Sequence, residues 1–305
     1  LTVFSISLLA ATQLAMMRFV FRSIPGFRLA LRPDKSVFRE IFHFSGAVYA
    51  ISMAKLVWER GSTFMISVFC GLSAVTTYSV GVRLSVLMNQ LTGPYQENIS
   101  PLAALLHSRK KREKLGGILV NSMRWNSFLA TGLTIGLVLF ARVAIRFLFG
   151  VDSPDSALIC RLTVLAGCIT LVFRTIPEKF LLMAERHKYL AKVFVAESAL
   201  FVAASVLLLS ATSLPGVFIV MGASIGSRLF GTTCFILPRM IRDCGLRVPG
   251  LLWNTFGRQI LASVPAIAAG ALELRFLSGR VGDLPLLLIA GLTCGPLYLF
   301  CSCAW

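Results

Sequence analysis

The sequence predicts an all-α polytopic membrane protein of about nine transmembrane helices, and three observations carry that prediction. Hydrophobic residues make up 56% of the 305-residue chain and charged residues only 14%, where a soluble domain carries about 25% charged residues; mean hydropathy is +0.80. The apolar residues are gathered into stretches long enough to cross a bilayer, which takes roughly 20 residues. The connections between these stretches alternate between strongly basic and uncharged or acidic, the asymmetry that orients membrane helices.

The first stretch, 1–22, is apolar from Leu1. It has neither a basic leader region nor a small-residue cleavage site, so it does not read as a signal peptide. A basic connection follows with Arg22, Arg28, Arg32, Lys35 and Arg39, and its Pro25-Gly26 and Pro33 stop helix continuation. Stretches two and three, 41–69 and 73–106, are joined by the uncharged residues 70–74. A second basic connection holds Arg109, Lys110, Lys111, Arg112 and Lys114, and stretch four runs over 117–149. At 1.5 Å per residue, helices of about 30 residues reach about 45 Å. Stretches two to four therefore tilt or project, as tall walls around a vestibule would.

The turn at 150–156 carries only Asp152 and Asp155, beside Pro154, and reads as a solvated outer turn. Stretch five covers 157–184 and is followed by Arg186 and Lys188; stretch six is 189–211. The uncharged 210–216 leads into stretch seven, 215–238, after which come Arg239, Arg242 and Arg247. Stretches eight and nine, 255–275 and 284–303, flank a mixed turn with Arg275 and Arg280 against Glu273 and Asp283. With the basic connections cytoplasmic, the chain starts outside and ends inside. Arg142, Arg146 and Arg161, near outer ends, blur that rule without reversing it.

The polar connection at 22–40 is the best candidate linker, and 239–254 is a second boundary. The abrupt apolar start and the odd number of spans lead to the expectation of a fragment. Residues 1–22 would be the last helix of a missing N-terminal bundle and 23–40 a cytoplasmic linker. Residues 41–245 would form a C-terminal six-helix bundle, and 246–305 two additional transmembrane helices. Alone, such a fragment is not expected to transport.

Charges inside the apolar stretches are the candidate chemistry, because a lipid-facing charge is costly. In stretch three, Thr76, Arg83, Gln90 and Glu97 recur every seven residues and so share one helical stripe. Interhelical hydrogen bonding or a wet cavity wall would each explain it. In stretch two, Lys55 and Glu59 stand four apart with Arg60 adjoining; mutual neutralisation would leave Arg60 as the surplus charge. In stretch five, Arg174 and Glu178 are again four apart, with Lys179 adjoining. Snorkelling to the headgroups is the plainer reading there. Arg228 lies near the middle of stretch seven on a face with Ser224 and Thr232, while Lys192 and Glu197 in stretch six are ambiguous. Arg124 and Arg258 lie nearer cytoplasmic ends, where an interfacial role is simpler. Arginine's planar fork suits phosphate. If Arg60, Arg83, Arg174 and Arg228 converge from their four spans, they form a cationic chamber for a diphosphate head.

Several classes are disfavoured. No Walker A, G-x-S-x-G, H-E-x-x-H or Rossmann glycine fingerprint is present, so the chain does not read as an enzyme. Eight cysteines without a C-x-x-C pair and three scattered histidines suggest neither a metal site nor another cofactor. The net charge of +17 would suggest nucleic acid in a soluble chain, but here it sits in alternate membrane connections.

Short motifs in a fixed order carry a family resemblance. Phe44-Ser45-Gly46 opens a long span after a basic connection. Phe69-Cys70-Gly71 leads to Val75-Thr76-Thr77-Tyr78-Ser79-Val80 and Arg83. Ile145-Arg146-Phe147-Leu148-Phe149-Gly150 precedes a short outer turn, and Ser100-Pro101-Leu102 precedes a basic one. Over most of 1–245 the chain resembles the Wzx-type polysaccharide biosynthesis flippases, of the superfamily that also holds multidrug (MATE) exporters and lipid II flippases. Nine spans starting outside would match spans six to fourteen of a fourteen-span member.

The resemblance implies a multi-pass protein of the bacterial inner membrane that moves a polyprenyl-diphosphate-linked oligosaccharide by alternating access. Arg60, Arg83, Arg174 and Arg228 would hold the diphosphate, with Lys55, Glu59, Thr76, Gln90, Glu97 and Glu178 in cavity or coupling roles. H+ or Na+ is the coupling ion such acids would serve. Lipid-linked oligosaccharide, membrane lipids and glycan polymerase machinery would be its partners. The alternatives are a drug or metabolite exporter of the same superfamily, or a membrane-embedded glycan polymerase or ligase. An exporter of organic cations would need an acidic cavity, and a polymerase or ligase large outer loops; neither is seen.

Overall fold

The structure, a computed structural model, describes residues 2–23, 35–108, 112–184, 186–212, 214–245, 250–251, 253–277 and 281–303. These residues are overwhelmingly helical. The chain divides into two units, 1–45 and 46–305. The first contains α1 (Thr2–Ser23) and the opening turns of α2 (Lys35–Cys70). Most of the linker expected at 23–40, and the start of the segment expected at 246, lie outside the described residues.

The second unit is a helical bundle. α3 (Leu72–Ser108) follows α2 after a single residue, Gly71, whose φ of 84° is a conformation that glycine adopts without a Cβ penalty. α4 (Arg112–Leu139) and α5 (Ala141–Phe149) come next. α6 (Pro154–Thr170) opens with Ser153 accepting from the Ser156 N–H and with Pro154 in the first turn, where a missing N–H costs nothing. It passes through a π-turn at 171–175 into α7 (Ile176–Met183). α8 (His187–Ala211) precedes α9 (Gly216–Gly231), which runs through a second π-turn at 232–236 into α10 (Leu237–Cys244). A third π-turn at 253–257 opens α11 (Arg258–Leu277), and α12 (Asp283–Cys303) ends the described chain.

Five helical segments are long and apolar enough to cross a membrane: Pro154–Met183, His187–Ala211, Gly216–Cys244, Thr255–Leu277 and Asp283–Ser302. The pair Gly116–Leu139 and Ala141–Phe149 makes a sixth if the two are counted together. The protein is thus an all-α polytopic membrane protein, with fewer clear spans among its described residues than the nine expected. In α2 the reason is visible, because Lys55, Glu59 and Arg60 fall within one six-residue stretch just past its middle. In α3 the polar stripe dilutes the apolar run.

Stretch four, expected as one helix over 117–149, is two helices that meet at a bend of 77°. The break is at Phe140, whose backbone (φ −98°, ψ 17°) leaves the helical region. The short α5 then buries Ala141, Val143, Ala144 and Ile145 and exposes Arg142 and Arg146, an amphipathic pattern that a lipid-buried continuation of α4 would not need.

Two buried clusters position the rest. One gathers Leu119 and Met123 of α4, Ile176 and Phe180 of α7, and Leu190 and Phe194 of α8. Another joins Ile66 of α2, Tyr78 of α3, Ile159 of α6, Phe201 of α8 and Val220 of α9. α3 and α6 approach closely at Gly81, where a Cβ would lie 2.7 Å from Ile159 Cγ2 and 2.8 Å from the Ser156 carbonyl. Small residues permit such close approach between membrane helices.

Candidate functional site

The first two π-turns meet, and the charged residues of the bundle gather where they do. Each π-turn is followed by a proline at the same offset, Pro177 after 171–175 and Pro238 after 232–236. A proline cannot donate to the carbonyl four residues earlier and its ring crowds that carbonyl, so the preceding turn widens. Side chains add donors to the backbone carbonyls of both turns. Asn126 of α4 donates to the Leu171 carbonyl at 2.5 Å while accepting from Gln96 of α3 at 3.1 Å.

Arg174 is carried inward on the first π-turn and is only 1% exposed. The snorkelling expected for it does not occur. Its guanidinium grips Glu197 of α8 with two parallel bonds, Nη1 to Oε1 and Nη2 to Oε2, both 2.7 Å. Nη1 also reaches Thr232 Oγ1 at 3.3 Å and the Arg228 carbonyl at 3.4 Å, both at the second π-turn. Nε lies 3.5 Å from Glu178 Oε2, and the ring of Phe194 lies beneath the guanidinium at 4.6 Å. Gly231 makes the geometry possible: a Cβ there would fall 1.5 Å from Glu197 Oε1.

Glu178 extends the network to α2. Its Oε1 accepts from Lys55 Nζ at 2.7 Å. The expected Lys55–Glu59 pair is therefore replaced by Lys55–Glu178. The physical reason is burial: Glu178 sits largely out of solvent beside Arg174, whereas Glu59 is exposed and keeps its hydration. Lys179, the next residue, turns the other way and binds Glu97 of α3 at 2.5 Å. Consecutive residues of α7 thus tie α2 and α3 to the same short helix.

Arg228 stacks over Trp58 of α2, its guanidinium carbon 3.6 Å from the ring centroid. Trp58 in turn donates to the Ser224 carbonyl at 3.4 Å. Among the described residues Arg228 forms no ion pair. Lys55, Arg174 and Arg228 face two carboxylates, Glu178 and Glu197, and one positive charge is left over. Glu59 of α2 is in no ion pair among the described residues but lies close enough to act electrostatically on Arg228, and counting it brings the tally level. Arg60 is exposed and unpaired among the described residues.

Of the four arginines expected to converge, Arg174 and Arg228 are brought together, with Lys55 and Glu178. Arg60 is next to that region in sequence but its side chain is exposed. Arg83 is exposed on α3, away from the cluster's contacts. The whole stripe of Thr76, Arg83, Gln90 and Glu97 is exposed, and among the described residues only Glu97 of the four makes an ion pair. Thr76 bonds back to the Leu72 carbonyl at 3.2 Å. Sequence reasoning left Glu197 ambiguous and did not single out Trp58 or Gly231. An arginine and a glutamate inside separate apolar stretches are the one signal that could have found the Arg174–Glu197 pair. No group of His, Cys, Asp or Glu is placed to hold a metal among the described residues.

Fold and site together define a polytopic helical membrane protein with a charged cluster built into the interior of its bundle, in which Arg228 is in no ion pair among the described residues. The family model for polysaccharide biosynthesis protein matches residues 2–158, more than half of the chain, and the chain belongs to that family. Its role therefore lies in polysaccharide synthesis or export. No curated protein and no solved structure matches the chain.

Proposed function

We propose that the chain is the cargo-binding part of a flippase that carries a polyprenyl-diphosphate-linked oligosaccharide across the bacterial inner membrane. The observation that carries this reading is Arg228. It is a guanidinium inside a helix apolar enough to span a membrane, stacked on Trp58 and committed to no carboxylate among the described residues. An arginine held in that way has its fork available for an anionic oxygen. Arg174 has a different part. Its Nη1 and Nη2 donors are taken up by Glu197, Thr232 and the Arg228 carbonyl, and its Nε faces Glu178, so it fixes the position of Arg228 and does not bind cargo. The basic connections would face the cytoplasm, where lipid-linked glycans are assembled, and the C-terminus with them. The protein would be a transporter and not an enzyme, working beside a glycan polymerase.

The same geometry narrows the coupling residue. Glu178 and Glu97 are held by Lys55 and Lys179, whereas Glu59 is in no ion pair among the described residues. Of the three, Glu59 is the one free to take up H+ or Na+. The guanidinium of Arg228, unpaired among the described residues, disfavours an exporter of organic cations.

The test uses the full-length protein in a bacterium lacking its own flippase, with surface glycan as the readout. A charge-assisted hydrogen bond is worth about 1.5–3 kcal/mol. Arg228→Ala is therefore expected to reduce transport by about tenfold or more, and Arg228→Lys to restore only part of it. Full transport by an Arg83→Ala, Arg228→Ala double variant would eliminate the cationic-chamber reading.

A further inference from the structure

The short helix α5 is unexplained by the cargo reading. We infer that α5 lies in the plane of the membrane at the boundary between headgroups and acyl chains, where it docks the end of the bundle onto the lipid surface. The chain turns by 77° at Phe140, so α5 does not continue the apolar α4. Its inward face, Ala141, Val143, Ala144 and Ile145, packs on the bundle. What remains outward is of two kinds. Phe147, Leu148 and Phe149 are 45%, 54% and 39% exposed, and Val151 continues this apolar edge beyond Gly150, whose left-handed backbone ends the helix. Beside them Arg142 grips Asp152 with two bonds, 2.7 and 3.0 Å, and Arg146 grips Asp283 of α12, with one bond of 2.6 Å. Both ion pairs are exposed.

Water is a poor surrounding for three consecutive exposed apolar side chains on one short helix. The hydrocarbon centre is a poor surrounding for exposed ion pairs. The headgroup boundary accommodates both, with the apolar edge inserted about 5–10 Å and the arginines level with the phosphates. The apolar helices α4 and α6 end and begin on either side of α5, at Leu139 and Pro154, so the short helix stands at the end of two segments apolar enough to reach lipid. Charge decides which lipid. Arg142, Arg146 and the exposed Arg161 are matched by Asp152, Asp155 and Asp283, so the patch is neutral. Docking rests on apolar insertion and does not depend on anionic lipid.

The experiment places an environment-sensitive fluorescent amino acid at Leu148 of the protein reconstituted in vesicles. Quenching is read from spin labels on the headgroup, near the glycerol end of the acyl chain, and near its methyl end. A second probe at Leu292, 75% exposed in mid-α12, calibrates the deep position. The expected result is strongest quenching at Leu148 by the glycerol-end label and at Leu292 by the methyl-end label. The Leu148 depth is expected to be equal in phosphatidylcholine alone and with phosphatidylglycerol added. Methyl-end quenching at Leu148 would make α5 re-entrant and overturn the inference. So would the absence of quenching by any lipid label, which would place the helix in water or against protein. A depth that changes with phosphatidylglycerol would overturn the apolar basis of docking.

Discussion

A guanidinium almost wholly removed from solvent is tolerable only when its charge and its donors are answered on the spot. At Arg174 the answer is Glu197, and the two residues are better understood as one unit than as two charges. Removing one partner of such a pair strands the other and costs about 3–5 kcal/mol, whereas replacing both with apolar residues of similar size is often close to neutral. We expect Glu197→Ala to lower stability in detergent by that amount, measured by denaturant or thermal unfolding. Arg174→Met combined with Glu197→Met is expected to recover most of the loss. Gly231 belongs to the same unit, since a Cβ there would overlap the carboxylate. Gly231→Ala should therefore mimic Glu197→Ala, and the Gly231→Ala, Glu197→Ala double variant should lose much less than the sum. Additive losses would mean that Gly231 serves something other than the ion pair. None of this could be read from spacing. Positions 174 and 197 lie on different helices, and a sequence gives a helix's own faces but not its rotation against a neighbour. What spacing did suggest, the four-apart pair of Arg174 and Glu178, survives as the weaker contact at 3.5 Å.

Helix ends and helix breaks differ in how plainly they are written. Stretches six and nine, expected at 189–211 and 284–303, appear as His187–Ala211 and Asp283–Cys303, because an apolar run between polar turns leaves little freedom. The bend at Phe140 was not legible, since no proline marks it and Arg142 and Arg146, four apart just beyond it, read only as charges near an outer end. The π-turns were half legible: Pro177 and Pro238 announce a perturbed helix without saying that the turn before each would widen. Packing between elements is where glycine tells most. At Gly81 the obstacle to a Cβ is partly the Ser156 backbone, which cannot rotate away. Gly81→Ala is expected to push α3 from α6 at a cost of about 1–3 kcal/mol. At Gly136 of α4 a Cβ meets nothing within 4 Å, and Gly136→Ala should cost no stability. Both are read as shifts in the unfolding midpoint in detergent, and equal shifts would contradict the packing assigned to α3 and α6.

Across the whole molecule the surface is of two sorts, and a membrane protein has only three surroundings to offer them. Leu292 of α12 and its apolar neighbours suit lipid. The exposed stripe of Thr76, Arg83, Gln90 and Glu97 does not, because ionisable groups facing acyl chains are costly. It requires either water or the polar face of other protein. These two surroundings differ in reactivity, since thiol alkylation proceeds through the thiolate and a thiolate needs hydration. In the full-length protein, with native cysteines that react removed, Gln90→Cys is expected to be labelled by a membrane-impermeant maleimide. Leu292→Cys, in lipid, is expected to stay unlabelled. If the stripe lines the path of a lipid-linked diphosphate, added cargo should slow labelling at position 90, and Arg228→Ala should abolish that protection without changing the labelling rate in the absence of cargo. Silence at position 90 from both sides of the membrane would mean that the stripe is an interhelical contact. The flippase reading would then keep its buried cation at Arg228 but lose the wet wall along which the head group has to travel.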